Sequence, residues 1–304
     1  MKKRESNELT EQILQVLENR KRSSLRGTAT KIGLSSTWFR NKILKMRRNG
    51  TIKSWQLVLN PASYNQRIFF LLLKTNPNEP TVVTELLNHY DQNSLSTLEG
   101  ITGGFSLICK FHFPSTSDFL DSLDHLYSLI GETGFQKYQM MEVIKVHKER
   151  GILVPDLDYP LKRRELTKLQ LIQKLGETFD LPPSTYNIAE KLNESQPAIY
   201  RRLKRWENEH IILGYSLVTS YWQNNYLHAY IQVKAPLGKY QYVIDFCLEE
   251  KRVIQAYRTN QEYSLLLMTR HPTLSDLNDF LKSLYEYTDV EDTITRIILD
   301  ILRG

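Results

Sequence analysis

A chain of 304 residues with 41% hydrophobic content is long enough for about two to four compact units with real cores. Its only two cysteines, Cys109 and Cys247, sit among apolar neighbours, which argues against a disulfide framework or a zinc knuckle. No apolar run approaches the roughly 20 residues needed to cross a bilayer, and MKKRESNELT at the N-terminus lacks the apolar core of a secretory signal. The formal charge is a modest +6, but residues 1–60 hold fourteen Lys/Arg against four Glu and residues 161–218 ten basic against seven acidic, so the remainder is net acidic. Two confined basic stretches in a reducing, cytoplasmic setting suit a polyanionic partner, because neutralising phosphates releases counterions.

Met1–Asn7 reads as a mobile basic arm. Leu9–Asn19 then places Leu9, Ile13, Val16 and Leu17 on one helical face. Leu25–Ile32 is a second helix, Gly33-Leu34 a turn, and Ser35–Arg48 a third helix with Phe39, Ile43 and Met46 as its apolar stripe. Asn49-Gly50 stops it, and Thr51–Leu59 is a β-branched and aromatic strand ended by Asn60-Pro61. Three helices and a strand make a winged or near-winged helix-turn-helix.

The rhythm then changes. Strands are expected at Arg67–Lys74, Leu95–Glu99, Phe105–Phe111 and Tyr138–Val146, and helices at Thr81–His89 and Ser117–Leu129. That order, βαββαβ, is a ferredoxin-like unit. Glu149–Arg164, with Gly151, Pro155 and Pro160, reads as a linker.

After it the programme restarts. Leu166–Leu175, Thr185–Leu192 and Ser195–Asn208 parallel the three helices, the last at an offset of 160, so that Ile199, Leu203 and Trp206 repeat Phe39, Ile43 and Met46. Ile211–Val218, Tyr226–Lys234, Glu262–Met268, Ser275–Leu284 and Thr293–Leu302 follow as in the first half. The predicted fold is α+β, two copies of a winged or helix-turn-helix domain plus a ferredoxin-like βαββαβ domain. The boundaries are 1–60, 61–150, a linker at 151–165, 166–220 and 221–304.

On these residues a resemblance can be named. LNESQPAIYRRLKRWENEHIILGYSLV, Leu192–Val218, looks like the helix-turn-helix of the leucine-responsive regulator/AsnC (Lrp/AsnC) family. GLSSTWFRNKILKMRRNGTIKSWQLVLNP, Gly33–Pro61, resembles it less closely, and ITGGFSLICK, Ile101–Lys110, resembles the glycine-containing turn of the family's regulatory domain. The match runs over nearly the whole chain twice, as in a tandem fusion of two subunits. It implies a sequence-specific DNA-binding transcriptional regulator that recognises double-stranded DNA. It also implies self-association through the regulatory domains and a small amino acid or related metabolite as effector.

If the recognition helices dock as the resemblance implies, Ser36, Thr37, Arg40 and Asn41 meet base edges in the first copy, and Gln196, Pro197, Tyr200 and Arg201 in the second. Asparagine pairs bidentately with adenine and arginine with guanine, which makes Asn41 and Arg201 the best direct readers. Lys42, Lys45, Lys53, Arg202 and Lys204 are expected on phosphates. For each, an ordinary solvated helix charge is the competing reading. Trp38, where the second copy has Ala198, is either an apolar contact for thymine methyls or a core residue, and core is expected. Glu190, Glu194, Glu207 and Glu209 flank the second helix, so the first copy is expected to contribute more affinity.

The effector turn implied by the family is Thr102-Gly103-Gly104-Phe105, whose backbone N–H groups could meet a carboxylate. Ser106 stands where the family shows an acid, and the second copy, Thr259–Tyr263, has no glycine and an added carboxylate, Glu262. A plain strand-joining turn is favoured over a pocket. The seven histidines are scattered with no metal-ligand spacing, no phosphate loop or nucleophile elbow occurs, and His112 and His228 read as structural. No cofactor and no metal are expected, and the chain is expected not to be an enzyme. The alternatives weighed are an assembly partner without DNA binding and a sirohaem decarboxylase, a relative of this family built from two AsnC-like halves. Ala256–His271 has Tyr257, Arg258 and His271 but not the Trp-Pro-Tyr-Asn-like run expected of that enzyme.

Overall fold

The computed structural model describes residues 2–18, 25–76, 81–130, 135–157, 161–182, 184–220 and 225–303. Its first half runs α1 (Lys2–Leu17), α2 (Leu25–Lys31), α3 (Ser36–Arg48), β1 (Ile52–Leu59), β2 (Arg67–Thr75), α4 (Thr81–His89), β3 (Leu95–Ile101), β4 (Leu107–Phe113), α5 (Thr116–Ile130) and β5 (Phe135–Glu149). A two-residue strand, β6 (Ile152–Leu153), precedes the second half. This half runs α6 (Arg163–Thr178), α7 (Thr185–Leu192), α8 (Gln196–Asn208), β7 (Ile212–Thr219), β8 (Leu227–Lys234), α9 (Tyr240–Glu249), β9 (Val253–Thr259), β10 (Leu265–His271), α10 (Leu274–Tyr287) and β11 (Asp292–Arg303). Sequence periodicity picked out neither α9 nor β9 individually; both occupy the places the repeat requires.

The chain folds into two compact units that cut across the sequence repeat. One gathers both helix-turn-helix copies, Met1–Tyr64 with Glu149–Asn225; the other gathers both βαββαβ copies, Asn65–Lys148 with Tyr226–Gly304. Residues expected as a linker belong to the first unit. The Asn60 amide donates to the Pro155 carbonyl at 2.9 Å, the Leu161 N–H donates to the Ser63 carbonyl at 3.2 Å, and α6 already begins at Arg163. Likewise α1 starts at Lys2, where a basic arm is expected from sequence.

In the helix-turn-helix unit the two β-strands after the recognition helices do not stand alone as wings. β1 pairs antiparallel with β7, Leu57 opposite Tyr215 and Leu59 opposite Ile212. Leu57 and Leu59 thereby enter the core of the other copy, against Leu169, Ile172, Ile188, Ile199, Leu203 and Trp206. The apolar face of β1 is thus buried by the other copy, and the two-stranded ribbon gains the cover it needs for stability.

In the second unit eight strands close into an antiparallel ring in the order β2-β4-β3-β11-β8-β10-β9-β5, with β5 returning to pair with β2. The continuous apolar run of β2 is explained by burial on both faces. Phe69, Leu71 and Leu73 pack with Phe119, Leu123 and Leu126 of α5 and Val82 and Leu86 of α4. Ile68, Phe70 and Leu72 face inward to Tyr230, Tyr257 and Leu266 of the second copy. Closure leaves no free edge in the ring. Polar side chains lie in this interior too. Lys110 Nζ donates to the Tyr257 hydroxyl at 2.8 Å, the Tyr230 hydroxyl bonds Glu99, and Arg296 donates to Gln232 Oε1. Burial pushes the Glu99 carboxyl up to about 7, against the opposing pull of Tyr230 and Lys110.

The two copies are stapled at equivalent places. The Thr102 N–H donates to the Ile297 carbonyl at 2.9 Å and its Oγ1 accepts from the Ile297 N–H at 2.8 Å. At the equivalent turn of the second copy the Asn260 N–H donates to the Glu142 carbonyl at 3.1 Å and its Oδ1 accepts from the Glu142 N–H at 3.0 Å.

Candidate nucleic-acid interface

The recognition helices are positioned by the same local devices in both copies. The turn before each needs a left-handed residue, supplied by Gly33 (φ +69°) and by Asn193 (φ +52°), two residue types that accept it at low cost. Ser35 caps α3, its Oγ accepting from the Trp38 N–H at 3.3 Å; at α8, Ser195 makes no such bond but Pro197 pre-sets the first turn. Phe39, Ile43 and Met46, and Ile199, Leu203 and Trp206, are all buried, as their spacing predicts.

At about 100° per residue, Trp38, Asn41, Lys42 and Lys45 share one face of α3, beside the apolar stripe. Ser36, Thr37, Arg40, Asn41, Lys45 and Lys53 are exposed and Lys42 is half-buried. Trp38 corrects the sequence reading. It lies about 100° from Phe39 around the helix, outside the buried stripe, and is 41% exposed. Its aromatic character suggested core, since aromatics in apolar stripes usually are; the helical angle from Phe39 was the signal that could have placed it outside.

The matching face of α8 carries Ala198, Arg201, Arg202 and Arg205. Gln196, Tyr200, Arg201 and Lys204 are exposed and Arg202 is half-buried. Its cations are largely answered from within the unit. Glu194 accepts from Arg202 at 2.7 Å and from Lys168 at 3.2 Å, and this pairing, Arg202 foremost, holds its carboxyl below the usual range. Arg205 pairs with Glu165 of α6 and lies 3.9 Å from Glu209. The Arg201 Nε donates to the Pro197 carbonyl at 3.4 Å. Among the described residues no carboxylate pairs with Arg40, Lys42 or Lys45. Glu165 lies forty positions before Arg205, and no sequence pattern links the two.

The turn at Thr102, Gly103, Gly104 and Phe105 is built mainly to join strands. Gly103 sits at φ +98°, which calls for glycine, and the N–H and Oγ1 of Thr102 are both spent on Ile297. The Phe105 ring is flanked by Lys137 Nζ at 4.8 Å and by the Arg296 guanidinium at 5.6 Å. In the second copy Glu262 is answered by Lys234 at 2.7 Å. His112 pairs with Ser96 Oγ at 3.0 Å, and burial, then Arg270 and His271, depress His228 to about 4, so both behave as structural histidines. Among the described residues no helix is long and apolar enough to cross a membrane.

Over 117 residues the chain is 31% identical to an HTH-type transcriptional regulator of Pyrococcus furiosus, a stretch covering 38% of this chain and 79% of that protein. The chain belongs to the Lrp/AsnC family of transcriptional regulators. The family's HTH-type transcriptional regulator FL11 of Pyrococcus horikoshii is 24% identical over 144 residues, covering 47% of this chain and 92% of its own length. Such a relative spans about half the chain, consistent with a tandem fusion of two family subunits. No family model matches the chain. At the level of fold the likeness runs end to end: the siroheme decarboxylase NirDL superposes with a TM-score of 0.65 over 97% of this chain and 92% of that one, at 13% identity. The expectation that the chain is not an enzyme is overturned by this finding, because the fold matching its full length is that of an enzyme.

Proposed function

We propose that the chain is a cytoplasmic, sequence-specific DNA-binding transcriptional regulator in which two unlike recognition helices read double-stranded DNA. The observation that carries this is the solvent face of α3, where Asn41, Lys42 and Lys45 stand together with no paired carboxylate among the described residues, in a segment of strongly positive charge. Ser36, Thr37, Arg40 and Asn41 meet base edges, and Lys42, Lys45 and Lys53 hold phosphates. Gln196, Tyr200 and Arg201 read the second half-site, with Arg202 and Lys204 on phosphates. The ion pairs on α8 support a weaker second reader, since a cation already neutralised releases fewer counterions on binding. Family membership supports self-association of chains and a small-molecule effector, for which Thr102–Phe105 is the candidate turn. The occupied polar groups of Thr102 make that turn a poor carboxylate receptor unless Gly103 and Gly104 supply the donors.

Selection of bound sites from random DNA by the intact chain is the direct test. Two unlike half-sites, about one helical turn apart or a multiple of it, are expected. Arg40→Ala with Lys42→Ala should weaken binding more than Arg201→Ala with Arg202→Ala; the reverse order refutes the ranking of the two readers.

A second reading is favoured by the end-to-end likeness to a siroheme decarboxylase, also solved with an iron-uroporphyrin III analogue. In it the paired halves act on a tetrapyrrole. A Soret band shifted on mixing the purified chain with an iron tetrapyrrole supports this reading, and an unshifted band at saturating tetrapyrrole removes it.

A further inference from the structure

Resting on the DNA-binding reading, we infer that Trp38 is a specificity-determining residue that packs its indole on the C5-methyl of a thymine in the half-site read by the first copy. Three observations carry it. Trp38 is 41% exposed although it is the largest apolar side chain on its helix, and exposing it has no benefit to the fold. It stands in the first turn of α3, with its own N–H tied to Ser35 Oγ at 3.3 Å, so the backbone beneath it is held. It shares a helix face with Asn41, Lys42 and Lys45, and cations that draw the duplex onto that face bring the indole to the floor of the major groove.

In that groove the thymine methyl is the apolar feature that distinguishes a T·A pair, and a flat, weakly polar ring is suited to cover it. The equivalent place in the second copy is Ala198, half-buried and too short to make the same contact. The tandem chain therefore discriminates thymine strongly in one half-site and weakly in the other. This adds an apolar asymmetry to the electrostatic one between α3 and α8.

The test uses the full chain and a duplex selected by it from random DNA, with thymines of the first half-site replaced in turn by deoxyuridine, which removes the methyl alone. Burying one methyl against a ring predicts a loss of about fourfold in affinity at one position for the native chain. Trp38→Ala should bind more weakly and be insensitive to that replacement, and Trp38→Phe should restore the sensitivity in part. Exposed as it is, Trp38 can be truncated with the fold retained, checked by circular dichroism. Equal sensitivity of native and Trp38→Ala chains at every thymine, or none in either, overturns this inference while leaving DNA binding intact. Failure of the native chain to retain any duplex overturns the regulator reading and this inference with it.

Discussion

Removing one carboxylate should make this protein hold DNA more tightly. Glu194 grips Arg202 at 2.7 Å and Lys168 at 3.2 Å, and all three side chains are part-buried. In Glu194→Gln the amide accepts at most a neutral hydrogen bond and Arg202 becomes free to meet a phosphate. Each cation added to the phosphate contacts steepens the dependence of log affinity on log salt by about 0.9. For Arg202 alone the ratio of affinities at about 50 and 200 mM salt therefore widens roughly three- to fourfold. The cost to the fold is about 1 kcal/mol, the scale of a partly exposed ion pair. Fluorescence anisotropy with a labelled duplex across a salt series gives the slope. Glu190→Gln is the control, since Glu190 is exposed on α7 and its neutralisation alters the long-range charge equally. A slope for Glu194→Gln no steeper than for Glu190→Gln would show that Arg202 is not held back from DNA, and the reasoning would fail.

Two further outcomes are expected in the regulatory unit. Glu99 keeps a proton in the folded state up to about pH 7 that the unfolded chain, at an ordinary 4.5, gives up. Folded stability should therefore fall as pH rises through that window, by about 3 kcal/mol from this group. Urea midpoints at about pH 5 and pH 8 should differ less in Glu99→Gln than in the native chain, and parallel profiles would refute the assignment. Thr102→Val strands the Ile297 N–H and should cost about 1 kcal/mol or slightly more in denaturant unfolding, with Asn260→Ala, at the more exposed equivalent, costing no more than that.

Much of the fold was legible locally because the signals are local. The stripe Phe39, Ile43, Met46 and its echo Ile199, Leu203, Trp206 specify two helices and their buried faces, and the run Arg67–Lys74 marks a strand buried on both sides. The offset of 160 between the recognition helices made the tandem plan readable without coordinates. The candidate DNA face was readable in part. Asn41, Lys42 and Lys45 lie where spacing puts them, but Trp38 was misplaced because its aromatic character, rather than its angle on the helix, was followed.

The rest was decided by contacts between residues far apart in the chain. Composition marks Leu57 and Leu59 as apolar, yet only the pairing of β1 with β7 shows that they fill the other copy's core. Closure of the ring depends on β5 returning to β2, and a linker became part of a unit because Asn60 reaches Pro155. Most consequential is the charge on α8. Sequence alone shows that Glu190, Glu194, Glu207 and Glu209 flank the second helix, but not which cation each carboxylate takes. Tertiary structure pairs Glu194 with Arg202 and brings Glu165, far away in the chain, against Arg205, because electrostatic attraction depends on distance in space and not on position along the chain.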